Sequence, residues 1–257
     1  MRARRAASFG ARAGEYARHR PDYPAEAIEW ILDAGDGVTS HTGPVPHVLD
    51  LGAGTGLLTA GLLDAGRRLP GGLVVTAVEP DDAMRAELAT RFPEVVALRG
   101  TAEGIPLGDG DVDAVLVGQA FHWFDADRAL AEIARVLRPG GAVGMLWNYE
   151  DTGVDWVAEL VRLKDTSVSR TWPGQSEPPA HPEFSGFEQA VFDHAHRRTA
   201  ESLTATIATQ SHVLVAPQQE RDAVLGRLLA YLLARPETAD GEFDVPLRTT
   251  TFRARRR

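Results

Sequence analysis

The stretch VLDLGAGTGLLT, residues 48–59, decides the fold predicted for this chain. A short apolar run, interrupted only by the carboxylate of Asp50, leads into three glycines at alternate positions, Gly52, Gly54 and Gly56. The leucines after them recur with helical spacing. The pattern predicts a buried strand, a loop without side chains and a helix packed back on the sheet. Such a unit is the usual cradle for a nucleotide-like cofactor in an open α/β sheet.

The segments that follow alternate between apolar strands and amphipathic helices. Strands are predicted at 73–80, 95–98 and 142–148, and the segment 111–124 is predicted to be a strand that leads into an aromatic cluster. Helices are predicted at 81–92 and 125–141, the second closed by Pro139-Gly140-Gly141. This alternation predicts a parallel, doubly wound sheet. Beyond residue 149 the pattern loosens. Helices are predicted over 154–168, 200–209 and 218–234, strands over 187–196 and 246–254, and an irregular proline-rich loop over 171–186.

Composition restricts the class of protein. The 257 residues are 44% hydrophobic and 25% charged, as in globular proteins, and they include no cysteine, which excludes disulfides and thiolate metal sites. No apolar run approaches the roughly 20 residues that span a bilayer, and the arginine-rich start lacks the apolar core of a secretory signal. We therefore expect a cytoplasmic protein without a membrane partner.

Charge and histidine spacing argue against two further kinds of site. The net charge is −9, with basic segments at both ends of an acidic body. A nucleic-acid site would need a continuous basic face with interleaved aromatic residues, so no nucleic-acid partner is expected. The spacing of His181, His194, His196 and His212 matches no metal site, and none is expected.

The N-terminal segment 9–24 is dense in aromatic and cationic residues. Phe9 and Tyr16 are seven residues apart, two helical turns, and the prolines that follow break regular structure. Two interpretations stay open. The segment is either a helix and turn that pack on the core, or a lid that carries Tyr16, Arg20 and Tyr23 over a pocket.

The glycine loop could hold a phosphate, a dinucleotide or a sulfonium nucleoside. The lysine that a Walker loop needs is missing, and the third glycine comes one residue too early for the dinucleotide fingerprint. A carboxylate within the strand also suits a cationic ligand better than a pyrophosphate. Asp50 can hold an ammonium group, directly or through water, and Glu79 at the end of the next strand can accept both hydroxyls of a ribose.

Four motifs occur in order and at proper spacing: LDLGAGTG, AVEPDDAM, GTAEGIPLGDGDVDAVLVGQAFHWF and LRPGG. With them, residues 48–147 resemble a class I S-adenosylmethionine-dependent methyltransferase domain. The N-terminal pattern F-x6-Y-x3-RP-x-YP and the QAFHWF segment resemble a small-molecule branch, which includes methyltransferase type 11 and trans-aconitate methyltransferase-like proteins. The C-terminal third matches only in general layout.

The resemblance implies a Rossmann-like α/β fold. Its seven-stranded, mostly parallel sheet would have the order 3-2-1-4-5-7-6, an antiparallel seventh strand and helices on both faces. One domain would cover residues 1–257. It would comprise an N-terminal lid and helix (1–47), a cofactor-binding core (48–148), and substrate-cap elements with closing strands (149–257).

The resemblance also assigns cofactor roles, with S-adenosylmethionine as the expected cofactor. The glycine loop, including Ala53, would line the methionine and ribose portions, Asp50 the amino group and Glu79 the ribose. Pro80 and Met84 would border the adenine face, and Gln119 and Ala120 would lie by the methionine moiety and the transferring methyl. The adenine edge would meet Thr101, Ala102 and Glu103, although many relatives have an acid where Thr101 stands.

The acceptor side is less defined. His122 is either a base or polar wall of the pocket, or a structural histidine among packed aromatic residues such as Trp123. Tyr16, Arg20 and Tyr23 would cap the cofactor or, through Arg20, pair with an anionic group. Trp147 and Asn148, at the end of the fifth strand, are expected either to contact substrate or to pack.

The function implied is methyl transfer to a small-molecule acceptor, at a carboxylate, hydroxyl or amine. Two alternatives stay open. One is an NAD(P)-dependent oxidoreductase, which the glycine spacing disfavours. The other is a protein that binds S-adenosylmethionine without turnover.

Overall fold

The computed structural model describes residues 20–34, 38, 45–167 and 177–257. The predicted N-terminal helix with Tyr16, and the first part of the 171–186 loop, lie outside these residues. Between Ala25 and Glu150 the described elements alternate as predicted. They are α1 (Ala25–Leu32), β1 (His47–Leu51), α2 (Leu57–Arg68), β2 (Val74–Val78), α3 (Asp82–Arg91), β3 (Val96–Leu98), β4 (Val112–Gly118), a 3-10 turn (Phe121–Trp123), α4 (Ala126–Val136) and β5 (Leu137–Glu150).

The elements after β5 follow the looser part of the sequence. They are α5 (Asp155–Leu163), β6 (Glu188–Arg198), α6 (Ala200–Ala208), α7 (Ser211–Leu214), α8 (Gln218–Leu233) and β7 (Phe243–Arg255). The helices predicted over 200–209 and 218–234 are confirmed. The closing strand is longer than predicted and begins at Phe243.

One seven-stranded sheet has the order β3-β2-β1-β4-β5-β7-β6. Strands β3, β2, β1, β4 and β5 pair in parallel with their neighbours. β7 runs antiparallel to β5, because Gly140 donates to the carbonyl of Arg256 while Asp151 donates to that of Pro246, each at 3.0 Å. The predicted order and the antiparallel seventh strand are confirmed.

The described residues form two compact units. The first, the core unit, comprises the described residues of 22–148, 177–192 and 249–257. The second, the helical unit, takes residues 20–21, 149–167 and 193–248. Three of the boundaries therefore fall within β5, β6 and β7, and another lies before α1, between Pro21 and Asp22.

Alternate residues of the strands in the core unit bury opposite faces of the sheet. Val115 and Val117 of β4 pack in one apolar cluster with Ile133 of α4. Leu116, which points the other way, packs in a second cluster with Ile31 of α1 and with residues of α2. Since β-strand side chains alternate between the faces, both faces must be covered, and the prediction of helices on both faces is confirmed.

The helical unit has an apolar cluster of its own. Leu203 of α6 and Leu228 of α8 pack there with Phe243 at the start of β7. Trp156 of α5 meets the ring of Phe243 edge to face, with ring centres 5.9 Å apart. Among the described residues, none of the helices is both long and apolar enough to cross a bilayer.

The prediction that α4 continues to Gly141 is wrong. The helix ends at Val136, and Leu137 takes an extended conformation with φ −73° and ψ 145°. The LRPGG segment is the first part of β5, in which Leu137 is fully buried and pairs with Val112. Proline and glycine were interpreted as a helix stop, but Leu137 is buried in the sheet and the change to strand comes five residues earlier than predicted.

The two outer strands of the sheet differ in character. β6 is long, and its carboxylates pair with arginines of β7: Glu188 with Arg253 at 2.8 Å, and Asp193 with Arg248 at 3.1 Å. β3 has three residues, and Val96 at its start is 58% exposed.

Candidate functional site

The glycine loop leaves the carboxyl end of β1 and crosses that of β2. The N–H groups of Gly52 and Ala53 both donate to the carbonyl of Val78, at 2.8 and 3.1 Å. Gly52 has φ 71°, and a Cβ atom added there would lie 2.8 Å from the Cβ of Ala120. Both the backbone conformation and the close contact exclude a side chain, so Gly52 brings the predicted cofactor loop against the end of β4.

Glu79, directly after β2, holds this loop in place. Its Oε2 accepts the N–H of Gly54 at 2.9 Å, and its Oε1 accepts that of Asp81 at 2.9 Å. The side chain is largely buried. Burial raises the pKa of Glu79, although the hydrogen bonds from Asp81 and Gly54 oppose that effect. Glu79 therefore lies where the sequence predicts a ribose contact, at the side of the glycine loop.

Asp50 in β1 is fully buried. Its Oδ2 accepts the hydroxyl of Thr59 at 2.6 Å, and its Oδ1 has no hydrogen-bond partner among the described residues. Burial raises the pKa of Asp50 to about 7; the bond from Thr59 opposes this, and the nearby charge of Glu79 adds to it. A buried carboxylate oxygen without a donor is costly unless a ligand supplies one, and a cationic group would do so best. The residues present thus fit an ammonium-bearing cofactor.

The residues predicted along the adenine differ in exposure. Met84 is buried, and its Sδ lies 3.9 Å from where a Cβ on Gly54 would stand. Pro80 and Thr101 are exposed, and Ala102 is buried. Glu103 already has a partner, since its Oε1 accepts the N–H of Asp125 at 2.8 Å, directly before α4.

Arg135 and Glu132 of α4 fix the loop that follows Glu103. Arg135 donates to the carbonyls of Ile105 and Leu107, at 3.0 and 2.9 Å, and Glu132 accepts the N–H of Ile105 at 3.0 Å. The sequence analysis missed these two residues. Their spacing of three residues on one predicted helix is the sequence signal that could have indicated a pair, and in the structure Arg135 donates to Glu132 at 2.8 Å.

Gln119 and Ala120 follow the carboxyl end of β4. Gln119 has φ 53°, and it is the residue other than glycine with positive φ among those described. Its N–H donates to the carbonyl of Leu146 at 2.9 Å, and its Nε2 donates to that of Asn148 at 3.1 Å. Gln119, one of the two residues predicted near the transferring methyl, is therefore held by the neighbouring strand β5.

The acceptor residues predicted around the 3-10 turn separate into half-buried and buried groups. His122 and Trp123 are half-buried, with ring centres 4.8 Å apart. Trp147 is 2% exposed, packs edge to face on Phe252, and points its indole N–H at Nδ1 of His122 at 3.5 Å. Trp147 therefore fits the packing interpretation, and we assign it no acceptor contact.

The N-terminal candidates divide between the two units. Tyr23 of the core unit packs against Gly118, and the carbonyl of its neighbour Asp22 accepts from Asn148 Nδ2 at 2.8 Å. Arg20 belongs to the helical unit and donates to the carbonyl of Thr209 at 3.2 Å.

The helical unit contains an ion pair that the sequence analysis also missed. Lys164 donates to Glu150 Oε1 at 2.5 Å, and their side chains are 12% and 18% exposed. Burial alone would raise the pKa of Glu150, but the charge and hydrogen bond of Lys164 lower it to about 2. Burial, together with the charge of Lys164, lowers the pKa of His212 to about 4. Lys164 is the only lysine in the sequence, which could have marked it for attention.

Within the described ranges, no three side chains of the metal-binding types are grouped so that they could hold an ion.

The chain is similar to known proteins both in sequence and in structure. The sequence model of the family described as "Methyltransferase domain" matches residues 49–145. An "uncharacterized methyltransferase" of Mycobacterium tuberculosis is 40% identical over 250 residues, covering 96% of this chain and 95% of the relative. An uncharacterized methyltransferase-like protein of Schizosaccharomyces pombe is 30% identical over 240 residues, covering 91% and 90%.

A solved structure from Anaeromyxobacter dehalogenans, described as that of a type II methyltransferase, is similar along most of its length. It superposes with a TM-score of 0.65 at 26% identity, over 92% of this chain and 96% of the other. The similarity thus includes the looser C-terminal part as well as the glycine-loop core.

Proposed function

We propose that this chain, which belongs to the S-adenosylmethionine-dependent methyltransferase family, binds S-adenosylmethionine and transfers its methyl group to a small-molecule acceptor. Because the chain belongs to a methyltransferase family, we set aside the alternative function of a nicotinamide-dependent oxidoreductase. The observation that carries the choice of donor is the pair of buried carboxylates, Asp50 and Glu79, on either side of the glycine loop.

Each carboxylate matches a different part of the donor. Asp50 would bind the ammonium group through Oδ1, the oxygen that lacks a donor among the described residues. Glu79 keeps one lone pair on each oxygen after accepting the N–H groups of Gly54 and Asp81, so it can still accept the ribose hydroxyls. Met84 and Ala102 supply apolar surface for the adenine.

Bound S-adenosylmethionine supplies a methyl group already activated by its sulfonium. The protein's residues therefore mainly orient the acceptor and exclude water, and orientation alone contributes on the order of 7–11 kcal/mol. The backbone turn from Gly118 to Ala120 would fix one side of the reacting centre, and His122 would line the acceptor side as a polar wall or base. A carboxylate acceptor needs no base, whereas a hydroxyl or ammonium group must lose a proton.

A screen with radiolabelled methyl donor tests the function. The full chain is incubated with methyl-labelled S-adenosylmethionine and single compounds, weighted toward small carboxylic acids and phenols. Incorporation into at least one of them is expected. Binding of the donor with no transfer to any acceptor would support the non-catalytic alternative. Failure of S-adenosylmethionine to raise the melting temperature would contradict the donor assignment, with NAD(H) as the comparison ligand.

Replacing Glu79 with glutamine is expected to weaken S-adenosylmethionine binding by about a hundredfold. The amide has one acceptor oxygen instead of two, so its NH2 group must face the N–H of either Gly54 or Asp81. Isothermal titration calorimetry measures the change. Glu94→Gln, at an exposed position of the same unit, is the matched control and should bind as the wild type does. Equal affinities for the two variants would reject the ribose assignment.

A further inference from the structure

Asn148 lies at the centre of three hydrogen bonds within the core unit. Its Nδ2 donates to the carbonyl of Asp22 at 2.8 Å, and its Oδ1 accepts the hydroxyl of Thr249 at 2.6 Å. Its own carbonyl accepts from Nε2 of Gln119 at 3.1 Å. One residue of β5 therefore connects the segment before α1, the strand β7 and the turn after β4.

Asp22, whose carbonyl accepts from Asn148, directly precedes Tyr23 in the chain. The phenol of Tyr23 packs against Gly118 so closely that a Cβ atom there would be 2.6 Å from the hydroxyl oxygen. Gly118 is thus required by a close approach, and the aromatic ring covers the end of β4 directly beside Gln119.

The turn after β4 is constrained at three consecutive residues. Tyr23 packs on Gly118, the carbonyl of Asn148 holds the side chain of Gln119, and Ala120 packs on Gly52. Gln119 has φ 53°, a conformation that costs free energy in any residue but glycine and persists only where its surroundings enforce it. The contacts that enforce it come largely from β5, at Leu146 and Asn148.

We propose that Asn148 is a positioning residue, which fixes the phenol of Tyr23 beside Gln119 and Ala120 as a wall next to the transferring methyl. This inference rests on the proposed function, because it takes the donor site as assigned there. It takes up the interpretation that Asn148 packs rather than contacts the acceptor, because both polar atoms of its side chain bind protein groups.

A carboxamide is required because the position must donate and accept at the same time. Nδ2 faces a carbonyl, which only accepts, while Oδ1 receives a hydroxyl proton. Aspartate has the same shape but, when ionised, two acceptor oxygens, so it would face the carbonyl of Asp22 without a proton to donate. Asn148→Asp therefore removes the hydrogen bond to Asp22 while the side chain keeps its volume.

Nuclear magnetic resonance with [methyl-13C]S-adenosylmethionine tests the proposal without an acceptor. In the wild type we expect a nuclear Overhauser effect between the bound methyl and the ring of Tyr23, assigned by its loss in Tyr23→Ala. In Asn148→Asp and Asn148→Ala the effect should fall by about fivefold or more, while the dissociation constant of the donor changes by less than about threefold. Gln189→Ala, an exposed carboxamide on β6, should match the wild type.

The outcomes separate the two proposals. A wild type that does not bind S-adenosylmethionine would reject the proposed function. A wild type that binds it without the Tyr23 contact, or an Asn148→Asp variant that retains the full effect, would overturn the role of Asn148. If Asn148→Ala does not fold, Asn148→Asp and Thr249→Val still test the proposal. Thr249→Val removes the hydroxyl donor to Oδ1, and it should weaken the contact less than Asn148→Asp does.

Discussion

Replacing Lys164 with methionine is expected to lower the free energy of unfolding by about 3–5 kcal/mol at pH 7. The variant leaves Glu150 ionised in a largely buried place without its 2.5 Å partner, although the amide of Gln210 still donates to it. Chemical denaturation measures the loss. Arg162→Met, two residues earlier at the end of α5 and 73% exposed, is the matched control and should change stability by less than about 0.5 kcal/mol.

The pH dependence identifies the cause of this loss. In the wild type the pKa of Glu150 is depressed from 4.5 to about 2, so the stabilisation is present at neutral pH and is lost as the pH falls from about 4.5 through 2. Without Lys164, burial raises the pKa of Glu150 instead. The difference between wild type and variant should therefore grow as the pH rises from 3 to 7. The double variant Lys164→Met/Glu150→Gln should recover most of the stability; if it does not, the ion pair is not the cause.

Replacing Asp50 with asparagine is expected to stabilise the ligand-free protein by roughly 4 kcal/mol at pH 8, while weakening donor binding. The pKa of Asp50 is raised from 3.8 to about 7, so the folded state favours the protonated form. Its contribution to stability is favourable below pH 4 and is lost as the pH rises through about 7. The advantage of the variant should accordingly be near zero at pH 4 and increase up to pH 8.

Urea denaturation between pH 4 and pH 8 measures this advantage. Asp64→Asn, at an exposed position of α2, is the control and should show no such increase. A constant difference in the free energy of unfolding between Asp50→Asn and wild type across the range would mean that the pKa of Asp50 is not raised. Together with weakened donor binding, the expected result would show that the protein gives up stability to keep a carboxylate at the cofactor loop.

The core of the fold and the two carboxylates were predictable because their signals are local. The alternation of strands and helices between 48 and 148 was enough to infer a parallel sheet, and the resemblance supplied its order. Asp50 and Glu79 are fixed by their places within and directly after a strand, and the described elements put both beside the loop.

The features that the sequence did not reveal depend on contacts between distant residues. Glu150 and Lys164 are 14 residues apart, and Asn148 and Thr249 are 101 apart. No periodicity relates such positions, because their contact is set by the path of the chain. Trp147 and Glu103 illustrate the same point. Their residue types suggest a site, but Trp147 is packed and Glu103 accepts the N–H of Asp125, the residue directly before α4.

The two edges of the sheet bear on how the protein behaves at high concentration. A long, flat, apolar edge strand can recruit a second chain by backbone pairing and start aggregation. β6 is long, but its ion pairs with Arg253 and Arg248 place charges along it, and an incoming strand would have to accommodate them. β3 carries an exposed valine but ends after three residues, too few to template a stable ladder. The charges along β6 and the short length of β3 thus each oppose the pairing of this sheet with a second chain.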